Sequence, residues 1–360
     1  MQESVQQGPV SAEVARPLPR TVIVSPFSPL RDGTAKYADQ LVASLQEQRP
    51  VLPIGLPGSA TSVVRRLDGG LRPLRLLVLT ARGDELWLMW HPQYFISGRA
   101  WSRIGSYLSL GIVLRARHGG INVQVADMPF VPAARPPRSA VRRAEEMARR
   151  WFWRSAARLV FHSEWEREQI FSRFGPLPAT VEMVVHGSSY RPYVEVSQAE
   201  ARRRLGLHPT PTLFLCIGFI GHAKGFDRAL EAFARVQPTD AELHLVGSVP
   251  YETDDAHRYV EALRQRVAEV PGAHLKVAWV DDEEFDLWVQ AADVVLAPYR
   301  VAASSGVIGR AKIHGRRVIA SRVGGLPEQL GEGDAVVGGD AELAEAMASV
   351  APPLTTRAQR

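Results

Sequence analysis

Residues 213–227 read Leu-Phe-Leu-Cys-Ile-Gly-Phe-Ile-Gly-His-Ala-Lys-Gly-Phe-Asp. Five apolar residues in a row, closed by a glycine-bounded loop, form the pattern of a strand buried on both faces in a parallel sheet. Phe226, Ala229, Leu230 and Phe233 then recur at helical spacing. The stretch is therefore one strand–loop–helix unit of an α/β sheet. Lys224, at the start of that helix, sets a point charge beside the free N–H donors of a helix end, which suits a diphosphate; a solvated helix-end lysine is the alternative.

Outward from this unit the alternation continues in both directions. Downstream, strands are expected at 242–246, 275–278, 294–297 and 317–320, with helices at 256–270, 283–292, 306–314 and 341–350. Upstream, strands are expected at 21–25, 74–80, 86–90, 122–125 and 158–162, with helices at 35–45, 101–117, 138–157 and 164–174. The break His208-Pro209-Thr210-Pro211 follows a helix at 198–205, and the two series meet near residue 195. The expected fold is α/β, with two doubly wound Rossmann-like domains at 20–194 and 195–350 and tails at 1–19 and 351–360. Ligands of such sheets lie at the carboxyl ends of the strands, so the site is expected in the cleft between the domains.

The 360 residues are 22% charged and 46% hydrophobic, a composition that excludes a disordered chain. A single cysteine, Cys216, excludes an internal disulfide framework and any multi-cysteine metal site. No metal site is expected. The first twenty residues lack the apolar run of a secretory signal and no apolar stretch of about 18 residues occurs, so a cytoplasmic location is expected. The formal charge of +5 is compatible with an anionic partner, yet no nucleic-acid-binding motif accompanies it and no nucleic-acid partner is expected. Oligomeric state is not legible.

Several further motifs occur in a fixed order: Leu245-Val246-Gly247, Ala292-Asp293-Val294-Val295-Leu296-Ala297-Pro298-Tyr299, Ser304-Ser305-Gly306-Val307, Gly315-Arg316-Arg317-Val318-Ile319-Ala320-Ser321 and Gly324-Gly325-Leu326-Pro327-Glu328. With Gly218 to Asp227 ahead of them, they resemble the GT4-type retaining glycosyltransferases of GT-B fold. Gly33-Thr34-Ala35-Lys36-Tyr37 is similar to the early glycine loop of that family, and Val185-His186-Gly187 to the turn that closes its first domain. The resemblance runs from residue 21 to about 345. It implies a nucleotide-sugar donor (UDP, GDP or another nucleoside diphosphate) as co-substrate, a sugar or small-molecule acceptor, and no tightly bound cofactor.

On this resemblance the donor-binding candidates are Gly33, Gly218, His222, Lys224, Ser304, Ser305, Gly306, Val307 and Arg310. Lys224 is also a catalytic candidate, because the family lysine stabilises the leaving diphosphate. Phe219 and Gly221 occupy the stretch where the family often has an arginine, and His222 is the nearest substitute. The Ser304–Val307 loop precedes a helix, so its amides and hydroxyls suit phosphate oxygens, although an ordinary serine cap reads the same way.

Two departures stand out. The family has two glutamates eight residues apart in this region, the later one holding the ribose hydroxyls; here those positions are Ala302 and Arg310. A guanidinium has donors only and cannot accept from ribose hydroxyls. It can meet a phosphate, stack on a base or form an ion pair. The family histidine near the transferred sugar is replaced by Ala126-Asp127, leaving Asp127 and His91 as the catalytic candidates of the first domain.

Residues 138–157 carry six arginines beside Trp151-Phe152-Trp153. Such a helix either docks weakly on an anionic membrane surface at the inner face, or turns its aromatics to the core and its arginines to water. The chain is accordingly expected to be a retaining glycosyltransferase. The alternatives are a non-catalytic binding protein of the same fold, or an enzyme coupling a sugar-like, non-sugar unit.

Overall fold

A computed structural model describes residues 20–123, 139–238, 240–249 and 253–351. Two parallel sheets organise them. The first contains β1 (Thr21–Ser25), β2 (Val51–Gly55), β3 (Val63–Val64), β4 (Glu85–Trp90), β5 (Gly120–Val123), β6 (Arg158–Phe161) and β7 (Thr180–Met183), in the order β3-β2-β1-β4-β5-β6-β7. The second contains β8 (Thr212–Phe219), β9 (Ala241–Ser248), β10 (Ala273–Val277), β11 (Val294–Ala297), β12 (Arg317–Ser321) and β13 (Ala335–Val337), in the order β10-β9-β8-β11-β12-β13. Strand order reverses beside β1 and again beside β8, which places the two switch points next to β4 and β11.

Helices flank the first sheet as α1 (Gly33–Gln46), α2 (Leu76–Leu79), α3 (Pro92–Phe95), α4 (Ala100–Arg117), α5 (Ala140–Ser155) and α6 (Glu164–Phe174). Those of the second half are α7 (Gln198–Leu205), α8 (Phe226–Val236), α9 (Asp254–Ala268), α10 (Asp282–Ala291), α11 (Gly306–Ile313) and α12 (Asp340–Val350). Apolar strand residues are the reason both sheets hold: Val22, Val24, Leu88 and Leu159 are fully buried in one, Phe214, Leu215, Val295 and Ile319 in the other. No helix among the described residues is long and apolar enough to cross a membrane.

Residues 74–80, expected as a strand, are instead a 3-10 turn (Arg72–Arg75) running into α2. Pro73 at the start of the turn and the leucines after it favour a helical turn, and an apolar run this short has no periodicity to separate the two. The expected basic helix is α5, and its aromatics face inward. Phe152 and Trp153 are buried, Phe152 lying 4.3 Å from the Trp90 ring, and Trp151 covers Gly111 so closely that a Cβ there would meet its indole nitrogen at 2.3 Å. Its Glu145 and Glu146 pair with Arg103, Arg149 and Arg173. Trp151 and Phe152 thus pack on α4, and Trp153 on Trp90 and Phe174.

Candidate active site

The loop after β8 and the loop after β11 are joined into one floor. Gly225 has a φ of 67° and approaches so closely that a Cβ would lie 2.1 Å from the Pro298 carbonyl oxygen. The Arg300 amide donates to the Ala223 carbonyl (2.8 Å), and its guanidinium donates to the His222 carbonyl (2.9 Å) and to both carboxylate oxygens of Asp227 (2.8 and 2.6 Å). Arg228 holds the other side by donating to the carbonyls of Pro298 and Tyr299 (2.9 and 3.2 Å). These bonds fix Tyr299, and the ammonium of Lys224 sits 4.0 Å from its ring centroid. A cation over an aromatic face gains electrostatic energy, which helps to hold the ammonium at this point of the floor.

Tyr299 Oη lies 3.2 Å from Ser305 Oγ, and Ser305 accepts the Ile308 amide as the cap of α11. The Ser305 amide donates to Gln329 Oε1 at 2.7 Å. Ser305 is therefore a buried cap, as the plainer reading of the sequence had it, while Ser304, Gly306 and Val307 are half-buried beside it. Val307 packs on Gly218, where a Cβ would meet its Cγ2 at 3.5 Å. Gly218, Lys224, Tyr299 and the amino end of α11 are thus neighbours. His222 is exposed, with its ring edge-on to Tyr259 at 6.3 Å.

The first domain closes on this floor through the turn Val185-His186-Gly187 and Tyr190. Gly187 (φ 87°) meets Gly309 of α11 with space for no side chain, since a Cβ would sit 2.9 Å from Gly309 Cα. A Cβ on Gly306 would lie 3.0 Å from Tyr190 Oη and 3.7 Å from His186 Nε2. His186 stacks on Tyr37 (centroids 4.9 Å) and meets His162 edge-on at 5.0 Å. His162 Nδ1 donates to the Val184 carbonyl at 2.8 Å, and its Nε2 lies 2.9 Å from the Asn122 amide. Burial holds the His162 pKa down at about 4. Burial, then His162, then the Lys224 ammonium hold His186 well below its usual value, so both rings are neutral at pH 7. His186 Nδ1 is buried with no hydrogen-bond partner among the described residues.

Further contacts cross between the domains. Lys36 of α1 pairs with Asp282 of α10 at 2.6 Å, the Arg31 guanidinium lies 5.0 Å from the Trp279 ring centroid, and Glu328 accepts the amides of Glu164 (2.6 Å) and Trp165 (3.1 Å) at the start of α6. Tyr37, His162, Tyr190 and Arg31 were not singled out from the sequence. They come from three separated segments, and only the quoted glycine loop ending at Tyr37 and the quoted turn at His186 pointed towards them.

Arg310, Gly33, His91 and Asp127 complete the set of candidates. Arg310 is buried: it donates to the carboxylate of Asp286 and to the Asp282 carbonyl (3.1 Å), and lies 4.8 Å from the centroid of Tyr193. Arg310, expected to face a donor, thus stands in a buried ion pair with the fully buried Asp286 carboxylate. Gly33 starts α1 with open space around it, and the neighbouring Asp32 carboxylate already takes the amides of Thr34 (2.7 Å) and Ala35 (3.3 Å). An anion approaching those amides meets that carboxylate. His91 follows β4 at the switch point, buried, with its ring 5.2 Å from that of Tyr94. Asp127, with Ala126, lies outside the described residues.

Residues 211–352 match the family model of the glycosyl transferases group 1. Among curated proteins the chain is 26% identical over 278 residues to D-inositol 3-phosphate glycosyltransferase 1 of Catenulispora acidiphila, covering 73% of this chain and 63% of that one. It is 25% identical over 252 residues to the corresponding protein of Thermobifida fusca, covering 68% and 56%. The chain thus spans about six-tenths of the length of these relatives. Among solved structures it resembles Anabaena HepE in complex with UDP-glucose (TM-score 0.65, 15% identity, 92% of this chain and 89% of that one). It also resembles the sucrose-phosphate synthase of Thermosynechococcus elongatus (TM-score 0.61, 18% identity, 92% and 89%). The shared architecture is the GT-B arrangement of two Rossmann-like domains.

Proposed function

We propose, from the match of residues 211–352 to the family model of the group 1 glycosyl transferases, that the protein is a retaining glycosyltransferase that moves a sugar from a nucleotide-sugar donor to a small-molecule or glycan acceptor. In this reading residues 195–350 hold the donor, residues 20–194 hold the acceptor, and the enzyme works in the cytoplasm. The observation that carries it is the Lys224 ammonium, seated over Tyr299 and beside the amino end of α11, facing the first domain's His186 turn.

A diphosphate here takes the Lys224 charge together with the N–H donors at the start of α11 around Gly306 and Val307, with Gly218 leaving the approach open and Ser304 and His222 at the rim. Chemistry then consists of the acceptor hydroxyl attacking on the face from which the diphosphate leaves, the departing phosphate taking the proton. The chain supplies charge stabilisation and positioning and no nucleophile. The neutral His186, whose Nε2 lies 3.4 Å from Tyr190 Oη and close to Gly306, stands on the sugar side of the proposed cleft. His91 and Asp127 are the first domain's remaining candidates for meeting the acceptor.

UDP-sugars are the first donors to test, since the solved HepE complex holds UDP-glucose. Phosphorylated polyols such as inositol phosphate are the first acceptors, after the relatives' names. A panel of nucleoside diphosphates in a thermal-shift assay tests donor binding, because a ligand at 100 times its Kd adds about 2.7 kcal/mol. One diphosphate that shifts the transition, with turnover of its sugar conjugate, supports the proposal. Binding without turnover supports the non-catalytic reading that Ala302 and the buried Arg310 favour.

A further inference from the structure

At the edge of the second sheet, β9 and β10 bring three ligand-type side chains together. His244 and His274 are directly paired across the two strands, so both project from one face, and their rings stack with centroids 4.6 Å apart. Glu242 precedes His244 by two residues and therefore shares that face. Its Oε2 lies 2.9 Å from His244 Nε2. One donor atom from each of the three lies within 4.8 Å of the others. All three fall in the amino-terminal halves of their strands, at the opposite end from the loops that build the cleft.

We propose that Glu242, His244 and His274 bind one divalent transition-metal ion, with zinc(II) the best fit. Two imidazole nitrogens and one carboxylate oxygen form a borderline donor set suited to zinc, cobalt or nickel, whereas magnesium and calcium require oxygen donors throughout. Ligands of a tetrahedral zinc stand about 3.4 Å apart. Glu242 and His244, hydrogen-bonded at 2.9 Å, open by about half an ångström to reach that spacing, and the exposed His274 has its ligand atom within 4.8 Å of both. Trp288, its ring 5.3 Å from that of His244, backs the site, and the nearby Lys276 is neutralised by Glu284. The ion replaces the proton shared by Glu242 and His244 and ties the edge strand β10 to β9. The fourth position is left to water. The two histidines lie thirty residues apart in sequence, so the sequence alone carries no metal-ligand spacing.

The test is titration of the untagged full chain with zinc chloride by calorimetry, with cobalt(II) absorption as the second readout. One ion per chain with micromolar Kd is expected, giving d–d bands of a low-coordinate nitrogen/oxygen site and no competition from magnesium. His274→Ala, at an exposed position, keeps the fold and weakens zinc binding by at least about tenfold, as does Glu242→Gln. Nucleoside-diphosphate binding stays unchanged in both variants, so the result stands apart from the sugar-transfer proposal. Zinc binding weaker than about 100 μM, or binding that survives both substitutions, overturns the assignment.

Discussion

Replacing Arg310 with methionine removes the guanidinium from a carboxylate that cannot reach water. Asp286 is fully buried, and its oxygens take Arg310, the Tyr193 amide (2.6 Å) and the Val194 amide (3.4 Å), with His314 Nε2 3.0 Å away. The cluster ties α10 and α11 to the segment that joins the two domains, which Gln290 also grips through Val194 and Val196. Stripping one partner from a buried pair costs about 3–5 kcal/mol, because the other charge is left desolvated. For a unit of this size that lowers Tm by roughly 10 °C. In the native protein burial pushes the Asp286 pKa up, but His314 and Arg310 outweigh it and hold the carboxyl below its usual range. Its stabilising contribution is therefore present above the unfolded-state pKa and lost as pH falls through the lower folded one.

In Arg310→Met the carboxyl keeps His314 and the Tyr193 and Val194 amides but loses a fixed cation, so its pKa moves up and the variant's deficit shrinks as pH falls from 8 to 5. The assay is urea unfolding followed by circular dichroism at both pH values, with Arg310→Met/Asp286→Asn completing a double-mutant cycle. The double variant should lose less than the sum of the single changes by more than about 1.5 kcal/mol. Unchanged stability in Arg310→Met combined with loss of nucleotide affinity would refute the buried-pair account and return the guanidinium to the donor. Arg310→Glu sets two carboxylates together in the interior and is expected to unfold the second domain.

Lys224→Ala is expected to weaken nucleoside-diphosphate binding by about 1.5–3 kcal/mol, roughly 10- to 150-fold, with Tm unchanged; calorimetry and thermal melts check it. Burial pushes the Glu166 pKa up to about 8, so its protonated form stabilises the fold below the unfolded value near 4.5, and that contribution is lost as pH rises towards 8. Urea midpoints of the wild type should fall over this interval, and those of Glu166→Gln should stay flatter. Gly309→Ala drives a methyl to 3.1 Å from Gly187 Cα and should reduce turnover by spreading the domains, while each keeps its circular dichroism signal.

Apolar runs made these strands legible: Val22–Val24, Leu159–Phe161, Leu213–Ile217 and Val294–Ala297 are buried strand residues with no polar residue among them. The outer strands carried no such signal. β2 contains Pro53, β3 has two residues, and β7 is largely exposed. Lys224 and the α11 cap were legible because helix-end chemistry is local to a few residues. The direction of the Arg310 side chain was not, since Asp286 lies 24 positions away in another helix. The same holds for the Tyr37–His162–His186 cluster, which exists only once α1, β6 and the turn before Tyr190 have packed.

The most direct test of the account is release of nucleoside diphosphate from nucleotide-sugars by the wild-type chain and by Lys224→Ala, with the anomeric configuration of the product read by NMR. The account predicts that one nucleotide-sugar is turned over by the wild type, that the transferred sugar keeps its anomeric configuration, and that Lys224→Ala loses most of the rate while remaining folded. Equal rates in the two proteins, or an inverted product, would contradict it.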